Sequence, residues 1–366
     1  MSIWTILIAI VVFGLIIAIH EFGHFIAAKA NGIQVNEFAI GMGPKILKFQ
    51  RGETLYSLRL LPIGGFCAME GEDTSSDNPR AYEKKKVWQR MIVVLAGAFM
   101  NIVLGFVLLI VTTCMNDLVP TRTVSQFARE SSFTYGYNVN NWSLMQLKGD
   151  IPVSSSEKCG LQAGDEIISM NGAYIWSITD LTYKLQTTDV NDFTLVVKRD
   201  GEEVTLEHVK FEHQLSGGRM DFYILGEEKG VFNVPAFAFR DTVATGKLIW
   251  MSLGDLITGK YGFHDLSGPI GTISVISDAA TAGTNWTERL NSLLSLTVFI
   301  TINVGIFNLL PIPGLDGSRF LFMVIEAIRR KPIAKEREAM VHLIGMAALF
   351  LLMIVITVQD VSRFFA

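Results

Sequence analysis

Residues 3–28 read IWTILIAIVVFGLIIAIHEFGHFIAA. Ile3 to Ile19 carry no charge, and with the turn that follows they reach the roughly 20 apolar residues that a bilayer core demands. His20, Glu21 and His24 stand where the apolar run would otherwise continue. Ionisable side chains inside a spanning segment are costly and seldom idle. On a helix, residues four apart share a face, so both imidazoles can meet one metal ion while Glu21, a step off that face, reaches a water. This is the H-E-x-x-H arrangement of a zinc hydrolase. Two histidines leave Zn²⁺ short of a third protein ligand. The best candidate is Asp316, in Asn308-Leu309-Leu310-Pro311-Ile312-Pro313-Gly314-Leu315-Asp316-Gly317 after another apolar run.

Half of the 366 residues are hydrophobic and 18% are charged, and the mean hydropathy is +0.37. Such a chain is too apolar to be an ordinary soluble one, and spanning helices account for the excess. A net charge of −4 provides no basic footprint for nucleic acid. Cys67, Cys114 and Cys159 fall in different segments, which suits free thiols and neither a disulfide framework nor a cysteine-rich zinc site. The N-terminus has no basic n-region and no small-residue cleavage site, so it reads as a retained anchor.

The first span with its HEFGH motif occupies 1–30. Residues 31–90 form a membrane-associated β region and a cytoplasmic loop, with extended pieces at Gln34 to Ile40, Lys45 to Phe49 and Thr54 to Leu60. An exposed edge there can accept an extended peptide as an added strand, and a proline within Thr54 to Leu60 would remove a ladder donor from it. A second span, 91–116, has Trp88 as interfacial anchor and Asn101 as its most polar interior residue, suited to bonding a neighbouring helix. Residues 121–232 mix polar and apolar residues with frequent turns, as a soluble domain does, and 233–289 read as an amphipathic linker at the membrane surface. The third span with its Asn/Asp motif covers 290–317, a loop covers 318–339 and the fourth span covers 340–359.

Basic residues gather between the first two spans (Lys45, Lys48, Arg51, Arg59, Arg80, Lys84 to Lys86, Arg90) and between the last two (Arg319, Arg329, Arg330, Lys331, Lys335, Arg337). The positive-inside rule places both loops in the cytoplasm and the soluble domain outside. His20 then lies about 25 Å down the first helix and Asn308 a similar distance down the third, at 1.5 Å per residue. Both halves of the site share a depth near the cytoplasmic face. There Glu21 would serve as general base in peptide hydrolysis. The Asn308 amide would either stabilise the oxyanion or bond another helix.

Several stretches together carry a family resemblance: HEFGH at 20–24, Gly41-Met42-Gly43-Pro44-Lys45, ETLYSLRLLPIGG at 53–65, Ala96 to Asn101, Ser267-Gly268-Pro269-Ile270-Gly271 and Asn308 to Gly317. So does Cys159-Gly160-Leu161-Gln162-Ala163-Gly164-Asp165 through Asn171-Gly172, which resembles a PDZ domain of the kind attached to bacterial proteases. Over nearly its whole length the chain resembles the bacterial site-2 protease family, RseP-type intramembrane zinc metalloproteases. The resemblance implies an α-helical membrane protein of about four transmembrane helices, with a membrane-associated β-sheet after the first helix and an inserted extracytoplasmic α+β PDZ domain, in the bacterial inner membrane. It implies Zn²⁺ held by His20, His24 and Asp316, Glu21 as base, Asn308 near the oxyanion, and a sheet that receives substrate. Its substrates would be single-pass membrane proteins, such as anti-sigma factors already shortened by a site-1-type protease or remnant signal peptides, cut in regulated intramembrane proteolysis. Three departures stand out: Ala98 where proline is common, Gly314 and Ser318 around Leu-Asp-Gly, and a single PDZ unit. A non-catalytic PDZ-bearing adaptor is the competing reading, and Glu21, which a scaffold does not need, weighs against it.

Overall fold

The uncharged N-terminal run forms α1 (Ile3–Ala30), a helix apolar on nearly every side, as suits a lipid surrounding. It stops at Gly32, whose φ of +66° glycine adopts without steric cost. The Gly32 and Ile33 amides close the end by donating to the Lys29 and Ala28 carbonyls at 3.0 and 2.9 Å. The computed structural model describes residues 3–72, 74–127, 154–187, 191–211, 221–259, 268–331 and 333–365. By its internal packing the chain divides into two compact units, 1–105 with 253–281 and 296–366, and 106–252 with 282–295.

In the first unit, the short pieces expected after α1 are two long bent strands, β1 (Val35–Arg51) and β2 (Thr54–Met69). The second half of β1 pairs with the first half of β2, from Arg51↔Thr54 to Lys45↔Arg59. The first half of β1 pairs on one side with Gly65 to Met69 and on the other with Leu55 to Leu58. Glycines at positive φ, Gly41 (+85°), Gly43 (+86°) and Gly64 (+79°), lie where the strands bend. A Cβ on Gly41 would stand 2.5 Å from the Leu61 carbonyl oxygen, so no other residue fits that crossing. Leu55 to Leu58 is therefore an inner stretch, paired along both sides, and the outer ones are Lys45 to Arg51 and Gly65 to Met69. A proline within Thr54 to Leu60 would break the sheet's own ladder.

α2 (Val87–Met115) follows. In the second unit come β3 (Leu118–Phe127), the short α3 (Ser155–Lys158), β4 (Glu166–Met170), β5 (Ala173–Tyr174), α4 (Ile178–Thr187), β6 (Phe193–Arg199), β7 (Glu202–Val209), β8 (Phe222–Glu228) and α5 (Asn233–Ile257). The sheet runs β7-β6-β4-β3-β8, with β5 beside β4. Its core is Phe193, Phe211, Phe222, Leu161, Ile167 and Leu181 with their neighbours. The Gly164-Asp165 step helps to hold this domain together. Asp165 is fully buried and takes a two-pronged bond from Arg199 at 2.7 Å on each oxygen, which offsets the cost of burying the charge. The serine- and asparagine-rich stretch before this motif falls largely in 128–153, outside the described residues.

Back in the first unit, the chain forms α6 (Pro269–Thr281), α7 (Trp286–Asn308), α8 (Asp316–Arg329) and α9 (Lys335–Phe365). Residues 318–339, read from their charges as a loop, contain most of α8, whose apolar residues Phe320, Met323 and Ala327 recur at helical spacing. Among the described residues, four helices are long and apolar enough to cross a membrane: Ile6–Ala30, α2, α7 and Glu336–Ser362. At 1.5 Å per residue each exceeds a hydrocarbon core of about 30 Å. The chain is a multi-pass membrane protein with a sheet-containing domain.

Candidate metal centre

His20 and His24 are buried on one face of α1, their rings edge to face with centroids 4.8 Å apart. Room for both comes from α2. A Cβ on Gly97 would stand 2.4 Å from His24 Nε2 and 2.8 Å from His20 Cε1, so the two rings occupy the space that any other residue there would fill. On α1, a Cβ on Gly23 would lie 2.3 Å from the Ala96 carbonyl oxygen, so the two helices meet backbone to backbone at this level. His24 Nδ1 donates to the Val93 carbonyl oxygen at 2.8 Å. That bond fixes the tautomer and leaves Nε2 as a lone pair.

Asp316 comes from a distant part of the chain. α7 ends at Asn308, before Pro311, whose ring disfavours helix in the residue ahead of it. The turn is closed by Ile312 N donating to Leu310 O at 2.7 Å and Leu315 N to Ile312 O at 3.0 Å. Gly314 passes through it at φ +100°. A Cβ on Gly317 would come to 2.3 Å from both the Leu309 and Leu310 carbonyl oxygens, so only glycine lets α8 start so close to the end of α7. α9 holds the turn from the other side: Gly314 N donates to His342 Nδ1 at 3.1 Å, and Gly345 lies against Pro313 with no space for a side chain. Arg319, one turn into α8, pairs with Glu72, and Glu326 pairs with Arg90 at 2.6 Å.

The three side chains converge on one point. Asp316 Oδ2 lies 3.0 Å from His20 Nε2 and 3.2 Å from His24 Nε2, and the two Nε2 atoms are 3.2 Å apart. Oδ2 is buried without a hydrogen-bond partner of good geometry among the described residues. Tetrahedral ligands about 2.0 Å from a zinc ion are themselves about 3.3 Å apart. Two imidazole nitrogens and one carboxylate oxygen at this spacing fit Zn²⁺ in number, chemistry and geometry.

Glu21 stands beside this cluster and against the sheet: a Cβ on Gly65 would come within 3.3 Å of its Cγ. The outer stretch of β2 thus passes directly by the carboxylate. Within the sheet, Glu37 ties the two strands together: it accepts from Ser57 Oγ at 2.7 Å, Arg59 Nη2 at 2.9 Å and Lys45 Nζ at 3.0 Å. Burial pushes the Glu37 carboxyl upward, but those three donors outweigh it and hold the group at about 2. Asn308 is not drawn into the cluster. Its amide donates to Val304 O of its own helix at 3.0 Å. Nothing in the sequence singled out the Val93 carbonyl, Gly97 or His342, although the small-residue run Ala96-Gly97-Ala98 marks where two helices can approach closely.

The profile of peptidase family M50 matches residues 8–352. The regulator of sigma-W protease RasP of Bacillus subtilis is 32% identical, with 99% of each chain covered. The zinc metalloprotease RasP of Bacillus licheniformis is 30% identical, again over 99% of each. That of Geobacillus kaustophilus is 28% identical over 97% of both chains. A match that runs from the first spanning helix into the last carries the whole architecture with it: the chain belongs to peptidase family M50, the site-2 proteases, and is a zinc metalloprotease.

Proposed function

We propose that this protease cuts the membrane-spanning segments of single-pass proteins, with His20, His24 and Asp316 as its zinc ligands and Glu21 as its general base. One observation carries the reading: three ligand atoms 3.0 to 3.2 Å apart meet beside a carboxylate, two of them and the carboxylate carried on a helix long enough to span a bilayer. Held by His20, His24 and Asp316, Zn²⁺ would supply Lewis acidity to the scissile carbonyl and to the attacking water. Glu21 takes that water's proton and passes it to the leaving amine nitrogen. The Asn308 amide nitrogen has two N–H donors, so it can serve the oxyanion with the one that is not given to Val304 O.

A helix in lipid hides its carbonyls in internal hydrogen bonds. A substrate segment that unwinds beside Gly65 to Met69 exchanges them for strand pairing, which brings an extended peptide past Glu21. By the distribution of basic residues, the site faces the cytoplasmic side of the bacterial inner membrane, and 121–232, read as a single PDZ-like domain, lies outside. The Bacillus subtilis relative is named for regulating sigma-W. That suits a substrate that restrains a sigma factor, shortened first by another protease.

Glu21→Gln is expected to keep zinc and to abolish cleavage of a helical test substrate, a loss of at least about 10³-fold, read by gel mobility of the reconstituted reaction. Truncated single-pass fragments should accumulate in membranes of cells carrying this variant. Undiminished turnover by purified Glu21→Gln protein would refute its role.

A further inference from the structure

Asn101 is fully buried in α2, and its side-chain nitrogen stands 3.3 Å from His20 Nδ1. Its Oδ1 is buried with no hydrogen-bond partner among the described residues. Val93, Gly97 and Asn101 are four residues apart and share one stripe of α2. The Val93 carbonyl takes the His24 Nδ1 proton, Gly97 leaves space for both rings, and Asn101 meets His20.

A histidine whose Nε2 lone pair faces a cation carries its ring proton on Nδ1, and that N–H requires an acceptor. An amide nitrogen cannot accept. A half-turn about χ2 exchanges the oxygen and nitrogen of an asparagine amide with almost no change of shape, and puts Oδ1 opposite Nδ1. The bond to a neighbouring helix expected of Asn101 is thus made to α1, and its backbone joins a further helix: Thr301 Oγ1 of α7 donates to the Asn101 carbonyl oxygen at 3.1 Å. At Gly305 of α7 a Cβ would lie 3.3 Å from Asn101 Cβ, so packing confines the side chain and directs its amide to His20.

We propose that Asn101 is a positioning residue of the metal centre, its Oδ1 accepting from His20 Nδ1–H and setting the tautomer and ring angle of His20 as the Val93 carbonyl does for His24. The inference rests on the reading of His20, His24 and Asp316 as the zinc site. It makes α2 the outer support for both histidines, with one acceptor for each ring.

The test compares Asn101→Leu, close in size and without an acceptor, with Asn101→Asp, which keeps one, in full-length protein purified in detergent. Zinc affinity is read by competition with a chromophoric chelator, and ligand geometry by the visible spectrum of the Co²⁺-loaded protein. Asn101→Leu should bind zinc about 10- to 100-fold more weakly and shift the Co²⁺ bands, while Asn101→Asp restores most of the affinity and the parent spectrum. Should the leucine variant fail to accumulate, Asn101→Ala reads the same loss. Parent affinity in Asn101→Leu overturns the proposal, as does an equal loss in Asn101→Asp, which would make packing and not the acceptor responsible. Asp316→Asn run alongside separates the two levels. Zinc lost there but not in Asn101→Leu defeats this inference alone, and zinc unchanged in Asp316→Asn defeats the ligand assignment itself.

Discussion

The two halves of the proposed metal centre are held in place by different means. His20 and His24 are four residues apart on α1, so the period of the helix alone puts both rings on one face. Asp316 stands 292 positions beyond His24 (316 − 24) at the first residue of a separate helix. It arrives through a turn with two prolines, a glycine contact between α7 and α8, a hydrogen bond donated to α9 and an ion pair to Glu72. A local motif needs only its own helix to form. A ligand delivered over such a distance inherits every weakness of the packing that delivers it.

That contrast orders the expected effects of substitution. The largest falls on Gly317→Ala, since its Cβ would stand 2.3 Å from two backbone oxygens, neither of which can swing aside as a side chain could. Moving α8 away should weaken zinc binding by about 100-fold, the upper end of what losing a ligand's support costs, and destabilise the fold by about 1–3 kcal/mol. Chelator competition and thermal unfolding in detergent would measure both, and zinc binding that survives intact would show that Asp316 tolerates a looser turn. Arg319→Gln should act in the same direction but more weakly. Its pair with Glu72 is partly exposed, 38% and 16% for the two side chains, so a stability loss of about 1 kcal/mol or less is expected. A drop in zinc affinity of about tenfold or less would accompany it. An effect as large as that of Gly317→Ala would mean that the ion pair, not the glycine contact, sets the position of α8.

The smallest effect expected is on the sheet beside Glu21, through Glu37. Glu37 titrates at about 2 in the folded chain, against about 4.3 for an ordinary glutamate. A carboxyl depressed by folding stabilises fully above the unfolded value, and its contribution is lost as pH falls through that value toward the folded one. The sheet should therefore loosen as pH falls from about 4.3 toward 2, seen as faster amide exchange across residues 35–69. In Glu37→Gln that acid sensitivity should be smaller, and an unchanged profile would assign it to other carboxylates.

Much of this is legible in the sequence for reasons that can be named. Span length, the i, i+4 histidines and the helix-ending prolines are local properties, written wherever the residues themselves stand. Asp316 is legible as a residue of the right chemistry after an apolar run, although α8, which begins with it, reads as a loop because its charges outweigh its apolar spacing. The sheet reads as short pieces because Gly41, Gly43 and Gly64 mark bends, and bends look like ends when only neighbours along the chain are considered. Which stretch lies outermost is not legible at all. Thr54 to Leu60 partly alternates polar with apolar residues as a half-buried strand does, a pattern that edge and inner strands share, and Leu55 to Leu58 within it is paired on both sides.

Residue order alone was enough to place two imidazoles on one face of a membrane-spanning helix with a carboxylate a step off it, because helical period and bilayer thickness act residue by residue. Packing was needed to establish that Asp316 meets them, that Gly65 to Met69 rather than Thr54 to Leu60 passes Glu21, and that Val93 and Asn101 of α2 stand behind the two histidines. Those relations depend on how closely backbones approach. Close approach is set by the absence of side chains at Gly23, Gly65, Gly97 and Gly317, whose consequences appear only once the partner backbone is in place.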